Sequence, residues 1–183
     1  MALVLASGSP RRRELLREIA PEFEVVPSSA EEIVPEGFAP EQAAVYLASL
    51  KAEEVKKRRP ADAVLAADTV VALNGKILGK PADRADAKNT LRLLSGKIHE
   101  VITGVRYIGK NSDRSFFVKT EVEFNELSGE IIDAYVASGL CMDKAGSYGI
   151  QDGFPLVKSY RGSYTNVVGL PLDEVLSVTK EDI

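Results

Sequence analysis

Leu3-Val4-Leu5-Ala6-Ser7-Gly8-Ser9-Pro10-Arg11-Arg12-Arg13-Glu14-Leu15-Leu16 passes from a short apolar run, through a tight turn, into a cationic helix start. The apolar run reads as a buried strand, and the leucines beyond it fall at helical spacing. Ser9 is a good N-cap, and Pro10 at the first helical position gives up an N–H that the helix could not use. The next free N–H groups point out of the helix end. Gly8 lets a ligand approach the backbone, the helix dipole favours negative charge, and Arg11 to Arg13 add forked donors suited to phosphate oxygens. Three consecutive arginines also run against the usual acidic bias of a first turn. The junction is read as a phosphate site, set against the plainer alternative of a structural Ser-Pro helix start with solvated arginines.

Working outward, the helix carries Leu15, Leu16 and Ile19 as its stripe, and Phe23 to Pro27 reads as a second strand, which makes an α/β opening. Ser28 to Glu32 is a polar loop ending in two carboxylates, placed where α/β folds often hold ligand groups. A long helix is expected from Glu41 to about Arg59, with Lys51 near its middle and Lys56 to Arg59 as a solvated cationic end. Ala63 to Leu73 is the most strand-like run, and Asn74-Gly75 after it is a hairpin signal. Asp68 lies inside that run. Buried and ionised, it needs a cation or hydrogen-bond donors, and backbone donors at a bulge would satisfy it without any function.

Lys80 sits between Gly79 and Pro81 in a rigid turn, and alone it reads as a surface lysine. Asp83 caps a helix reaching about Leu94, and Ser95-Gly96 ends it. His99 to Ile108 and Arg114 to Phe124 form a long hairpin that could make a distinct lobe, with His99 read as structural or supporting in preference to a catalytic base. Ser128 caps a helix through Val136. Asp143 to Gly153 is a glycine-rich polar binding loop, Val157 to Tyr160 a strand, Gly162 to Gly169 a turn-rich piece, and Pro171 opens the last helix.

The length of 183 residues and 45% hydrophobic content suit one domain, taken as 1–183, with an ordinary core. A formal charge of −4 and a pI near 5.2 argue against a general nucleic-acid binder. Single Cys141 and single His99 exclude a disulfide framework and sites built from several cysteines or histidines, in keeping with a reducing cytosol. Met1 to Ala6 is too short for a signal sequence, and no run approaches the roughly 20 apolar residues that cross a bilayer. A cytoplasmic protein with neither a nucleic-acid nor a membrane partner is expected.

The polar groups that remain are Ser7, Arg11, Arg12, Glu32, Lys51, Asp68, Lys80 and Gln151. Cations from separate segments can neutralise a polyphosphate, while Glu32 and Asp68 offer hard oxygens for magnesium or manganese. No Walker-type loop or kinase signature is present. The chain resembles the Maf proteins, Maf-like nucleoside triphosphate pyrophosphatases. The resemblance rests on Ala6-Ser7-Gly8-Ser9-Pro10-Arg11-Arg12, Ala67-Asp68-Thr69-Val70, Gly79-Lys80-Pro81, Ser95-Gly96 followed by His99, Thr103-Gly104-Val105, Asp143-Lys144-Ala145-Gly146 with Tyr148-Gly149-Ile150-Gln151, and Asn166-Val167-Val168-Gly169-Leu170-Pro171, in family order.

The resemblance implies an elongated, mixed-sheet α/β fold related to the inosine triphosphate pyrophosphatases, with two lobes around a central cleft and commonly a homodimer. It implies hydrolysis of a nucleoside triphosphate between the α and β phosphates with a divalent metal cation, Mg or Mn, a house-cleaning activity with a link to cell division arrest. By matching, Asp68 takes the position of the proton acceptor. Ser7, Arg12, Lys51 and Lys80 fall at phosphate positions, and Glu32 with Asp68 at metal positions, Glu32 and Lys51 being placed by spacing alone. Arg11, Thr69 and Gln151 resemble the branch acting on dTTP and UTP. A Gln amide can accept from the uracil or thymine N3–H and donate to a ring carbonyl. The competing reading is a nucleotide-binding regulator of septum formation without significant turnover.

Overall fold

The computed structural model describes residues 1–180, so the end of the expected 1–183 unit lies outside the described residues. Strand β1 (Leu3–Leu5) is buried throughout and runs parallel to both neighbours, β2 (Glu24–Val25) and β3 (Ala63–Leu73), which is why it reads as an uninterrupted apolar run. Between β1 and β2 lies α1 (Pro10–Ile19), and between β2 and β3 lies α2 (Pro40–Arg58). Then follow β4 (Lys76–Leu78), α3 (Arg84–Leu94), β5 (Ile98–Ile108), β6 (Asp113–Phe124), α4 (Gly129–Ser138), β7 (Val157–Arg161), α5 (Tyr164–Val168) and α6 (Leu172–Thr179). The strands form one mixed, seven-stranded sheet in the order β2-β1-β3-β5-β6-β7, with β4 also on β3. The expected mixed α/β class is therefore what the chain adopts.

Local chemistry accounts for most of these boundaries. Ser9 caps α1 and Asp83 caps α3, each accepting from the backbone N–H three residues on, while Gly139 ends α4 in the left-handed region at φ 76°. Asn74 and Gly75, both at positive φ, turn β3 into β4.

Three expectations are corrected. The second strand shrinks from Phe23–Pro27 to Glu24–Val25, since Pro27 has no N–H to continue the ladder. The turn-rich piece before Gly169 holds the helix α5, capped by Ser163 and too short to show a period. The end of α2 is not simply solvated: Arg59 bridges Glu24 and Asp62 at 2.7 Å each, and the ammonium of Lys56 donates to the Asp62 carbonyl.

Packing brings α2 onto the sheet unusually closely. Its inner face carries Ala43, Ala44, Ala48 and Ala52, all fully buried. Below them is Gly104 of β5, where an added Cβ would lie 2.2 Å from the Ala44 carbonyl carbon. One apolar cluster gathers Leu5, Leu15, Leu16, Leu65, Tyr107 and Val175 under α1 and α6. Another gathers Val71, Leu91, Leu94, Phe124, Ile132 and Tyr135 under α3 and α4, at the other end of β3.

Candidate functional site

On one edge β3 is paired with β5 along nearly its whole length. On the other edge β1 pairs only with Ala63–Leu65 and β4 only with Val71–Leu73. The stretch between those short partners, with Asp68 at its centre, is left open on that side. A cavity of about 660 Å³ fills this gap, within the ordinary range for small-molecule sites. Ser7, Arg11, Arg12, Glu32, Lys51, Asp68, Thr69, Lys80 and Gln151 all line it, so every predicted site residue is brought to one place.

At the centre are two buried charges. Asp68 and Lys51 are joined by an ion pair of 2.5 Å, and Lys51 also reaches Glu32 at 3.0 Å. Asp68 stands opposite Gly104 in the β3–β5 ladder, so both project from the same face of the sheet. Ala44 meets Gly104, and Lys51 lies two helical turns further along the same face of α2. The missing Cβ at Gly104 thus lets Lys51 descend to Asp68. The cation that a buried aspartate requires is supplied by Lys51 of α2, and not by backbone donors at a bulge.

Thr69 points from the opposite face, and its hydroxyl contacts Thr103 at 2.9 Å. The Arg12 guanidinium lies beside it, donating to Thr69 Oγ1 at 3.1 Å, to the Gly169 carbonyl at 2.8 Å and to Ser7 Oγ at 3.4 Å. Burial lowers the Arg12 pKa from its ordinary value, and the nearby Asp68 charge opposes that shift. Arg11 pairs with Asp143 at 2.8 Å. Burial works against the Asp143 carboxylate, yet hydrogen bonds from Arg11 and Lys144 hold its pKa below the usual range. Arg13 is exposed. Lys80 sits in a turn tied to the opposite loop by a hydrogen bond of 3.0 Å from Gly146 N–H to the Gly79 carbonyl.

His99 stays out of the cavity. It is 1% exposed, edge-on to Phe124 and Tyr148, and its Nε2 is 2.7 Å from the Tyr148 hydroxyl. Burial pulls its pKa down to about 4, which suits a neutral structural ring.

Glu32 and Asp68, from a loop and a strand, converge on the single positive group of Lys51. The two carboxylates also offer hard oxygens of the kind a divalent cation takes, with substrate phosphate and water as its further ligands. Among the described residues no group of three or more His, Cys, Asp or Glu could hold a metal ion, so such a cation would depend on substrate.

The sequence matches the model of the Maf family, described as Maf-like protein, over residues 2–181. The chain belongs to the Maf family. A dTTP/UTP pyrophosphatase of Bacillus anthracis is 47% identical over 98% of this chain and 94% of its own. One of Bacillus cereus strain AH820 shows the same identity and coverage. The structure of a HAM1 protein from Coxiella burnetii matches with a TM-score of 0.54 over 98% of each chain at 18% identity, which shows a shared fold.

In this Maf chain the cavity also takes residues of the expected binding loop, beside Gln151, that were not singled out individually as site residues. Asp143, Lys144, Tyr148 and Gly149 all line it. Their signal was the charge carried by the loop from Asp143 to Gly153, whose partners across the chain were not visible in the sequence.

Proposed function

We propose that this chain is a nucleoside triphosphate pyrophosphatase that hydrolyses dTTP and UTP to the monophosphate and pyrophosphate, the activity in the names of its Bacillus relatives. The observation that carries this reading is the Glu32–Lys51–Asp68 array set in one cavity with Arg11, Arg12 and Lys80. A pure binding site has no need of a largely buried carboxylate among its cations. Modified pyrimidine nucleotides fall within the same proposal, as do a homodimer and a cytoplasmic setting. No helix among the described residues is long and apolar enough to cross a membrane.

Glu32 and Asp68 would hold a Mg or Mn ion, which supplies polarisation of the α-phosphate when bound. Asp68 accepts the proton of the water that attacks the α phosphorus in line, and Lys51 holds that carboxylate in place. Lys80, Arg12 and the Ser7 hydroxyl face the β and γ oxygens, so pyrophosphate leaves with its charge already matched. Because hydrogen bonds to Gly169, Thr69 and Ser7 already hold the Arg12 guanidinium, little reorganisation of that donor accompanies the reaction. Gln151 meets the base end, joined there by Arg11, which pairs across the cavity with Asp143 of the same loop.

The test incubates the purified protein with a panel of triphosphates and Mg or Mn, and identifies the products. dTTP and UTP should yield pyrophosphate, and Asp68→Asn should lower turnover by about 100-fold or more while retaining the fold. Orthophosphate with a diphosphate, or a preference for GTP analogues, would sink the reading.

A further inference from the structure

Asp152 belongs to no family motif quoted above, and its side chain is nearly enclosed, at 7% exposed. Each of its oxygens is spoken for. Oδ2 accepts from the Tyr135 hydroxyl at 2.5 Å and lies 3.3 Å from the Lys144 ammonium. Oδ1 accepts from Nε2 of Gln151 at 3.1 Å. Tyr135 is fixed in turn, because its oxygen accepts from Gly149 N–H at 3.0 Å. Burial, then the bond to Asp152, raises the Tyr135 pKa, so the phenol remains a donor.

A carboxylate only accepts, so the Gln151 amide must turn its NH2 group toward Asp152. The alternative flip would set two oxygens against each other. Gln151 lines the cavity, and its Oε1 is then the acceptor offered to a ligand, while the second Nε2 proton stays available for a neighbouring ring carbonyl. The packing leaves little slack: a Cβ at Gly149 would lie 2.6 Å from Gln151 Nε2 and 2.7 Å from Asp152 Oδ2.

We propose that Asp152, anchored by Tyr135 and Lys144, is a positioning residue that locks the polarity of Gln151, so that the site selects pyrimidines with an N3–H, as in uracil and thymine, over cytosine. Cytosine carries a lone pair at N3, which meets Oε1 as acceptor against acceptor. The proposal rests on the pyrimidine-nucleotide reading above and deepens it.

Asp152→Asn inverts the arrangement. Tyr135 and Lys144 draw the new amide oxygen, its NH2 faces Gln151, and Gln151 flips to present a donor to the base. The ratio of kcat/KM for UTP over CTP, and the matching ratio of UMP over CMP affinity by titration calorimetry, should each fall by about tenfold or more. Equal losses for both bases overturn the proposal, since that is what simple loosening of the loop produces. A wild-type control is independent of folding in the variant: UTP methylated at N3 should be a much poorer substrate than UTP, and equal use of the two overturns the proposal. If the wild type hydrolyses neither UTP nor CTP, the pyrophosphatase reading fails. The UMP and CMP affinities still decide the role of Asp152.

Discussion

Asp68 reaches its cation 17 residues back in the chain, and the pair is nearly enclosed, with side-chain exposures of 12% for Asp68 and 11% for Lys51. A buried pair of this kind contributes less to stability than its short distance suggests, because both ions lose hydration. What it secures is the position of a carboxylate at the open edge of β3. The need for a partner at Asp68 was legible from the apolar residues around it. The identity of that partner was not, because it depends on how closely a helix approaches a strand. His99 shows the opposite case, a titratable residue whose burial removes it from chemistry. Its pKa of about 4 lies below the ordinary 6.5, so the unfolded chain binds the proton more tightly. The stabilising contribution is complete above pH 6.5 and is lost as the pH falls toward 4. By linkage it amounts to about 3 kcal/mol. His99 is the single histidine of the chain. Carboxylates such as Glu24 and Glu123, held below 4.5 by hydrogen bonds from Arg59 and Lys158, act at lower pH. Urea denaturation between pH 6.5 and 4 should therefore show a fall in stability that His99→Gln largely flattens.

At the scale of elements, the contact between α2 and β5 sets the site. Gly104 has no φ requirement, so its value is space alone. A Cβ there would lie 2.3 Å from the Ala44 carbonyl oxygen, and backbone cannot swing aside as a long side chain can. Gly104→Ala should cost at least about 1–3 kcal/mol and lower the melting temperature by roughly 5 °C or more. It should also depress kcat, since lifting α2 draws Lys51 from Asp68; unchanged melting and turnover would remove this contact from the site's design. Elements with strong local signals were legible in the sequence: the Ser9 and Asp83 caps, the Asn74-Gly75 turn and the largely apolar run of β3 on either side of Asp68 and Thr69. The helix at Tyr164–Val168 and the ion pairs of Arg59 were not, because a five-residue helix has no measurable period and long-range pairing leaves no local trace.

Across the whole molecule, the cavity lies between two apolar clusters at opposite ends of β3. One end supplies Ser7, Arg11 and Arg12 from the β1–α1 junction. The other supplies Lys80 and Gln151, and α2 carries Lys51. The order of the family motifs already implied that these segments meet, since they come from most of the chain. The web behind Gln151, with Asp152, Tyr135 and Lys144, was not legible, because adjacent residues in a loop reveal nothing of which oxygen faces which donor. On the proposed reading, phosphates held by Ser7, Arg12 and Lys80 and a pyrimidine met by Gln151 and Arg11 would set the α phosphorus beside Asp68. Hydrolysis of dTTP in isotopically labelled water, with the products analysed by mass spectrometry, tests this most directly. The heavy oxygen should appear in dTMP and not in pyrophosphate, and label in pyrophosphate, or formation of dTDP, would contradict attack at the α phosphorus.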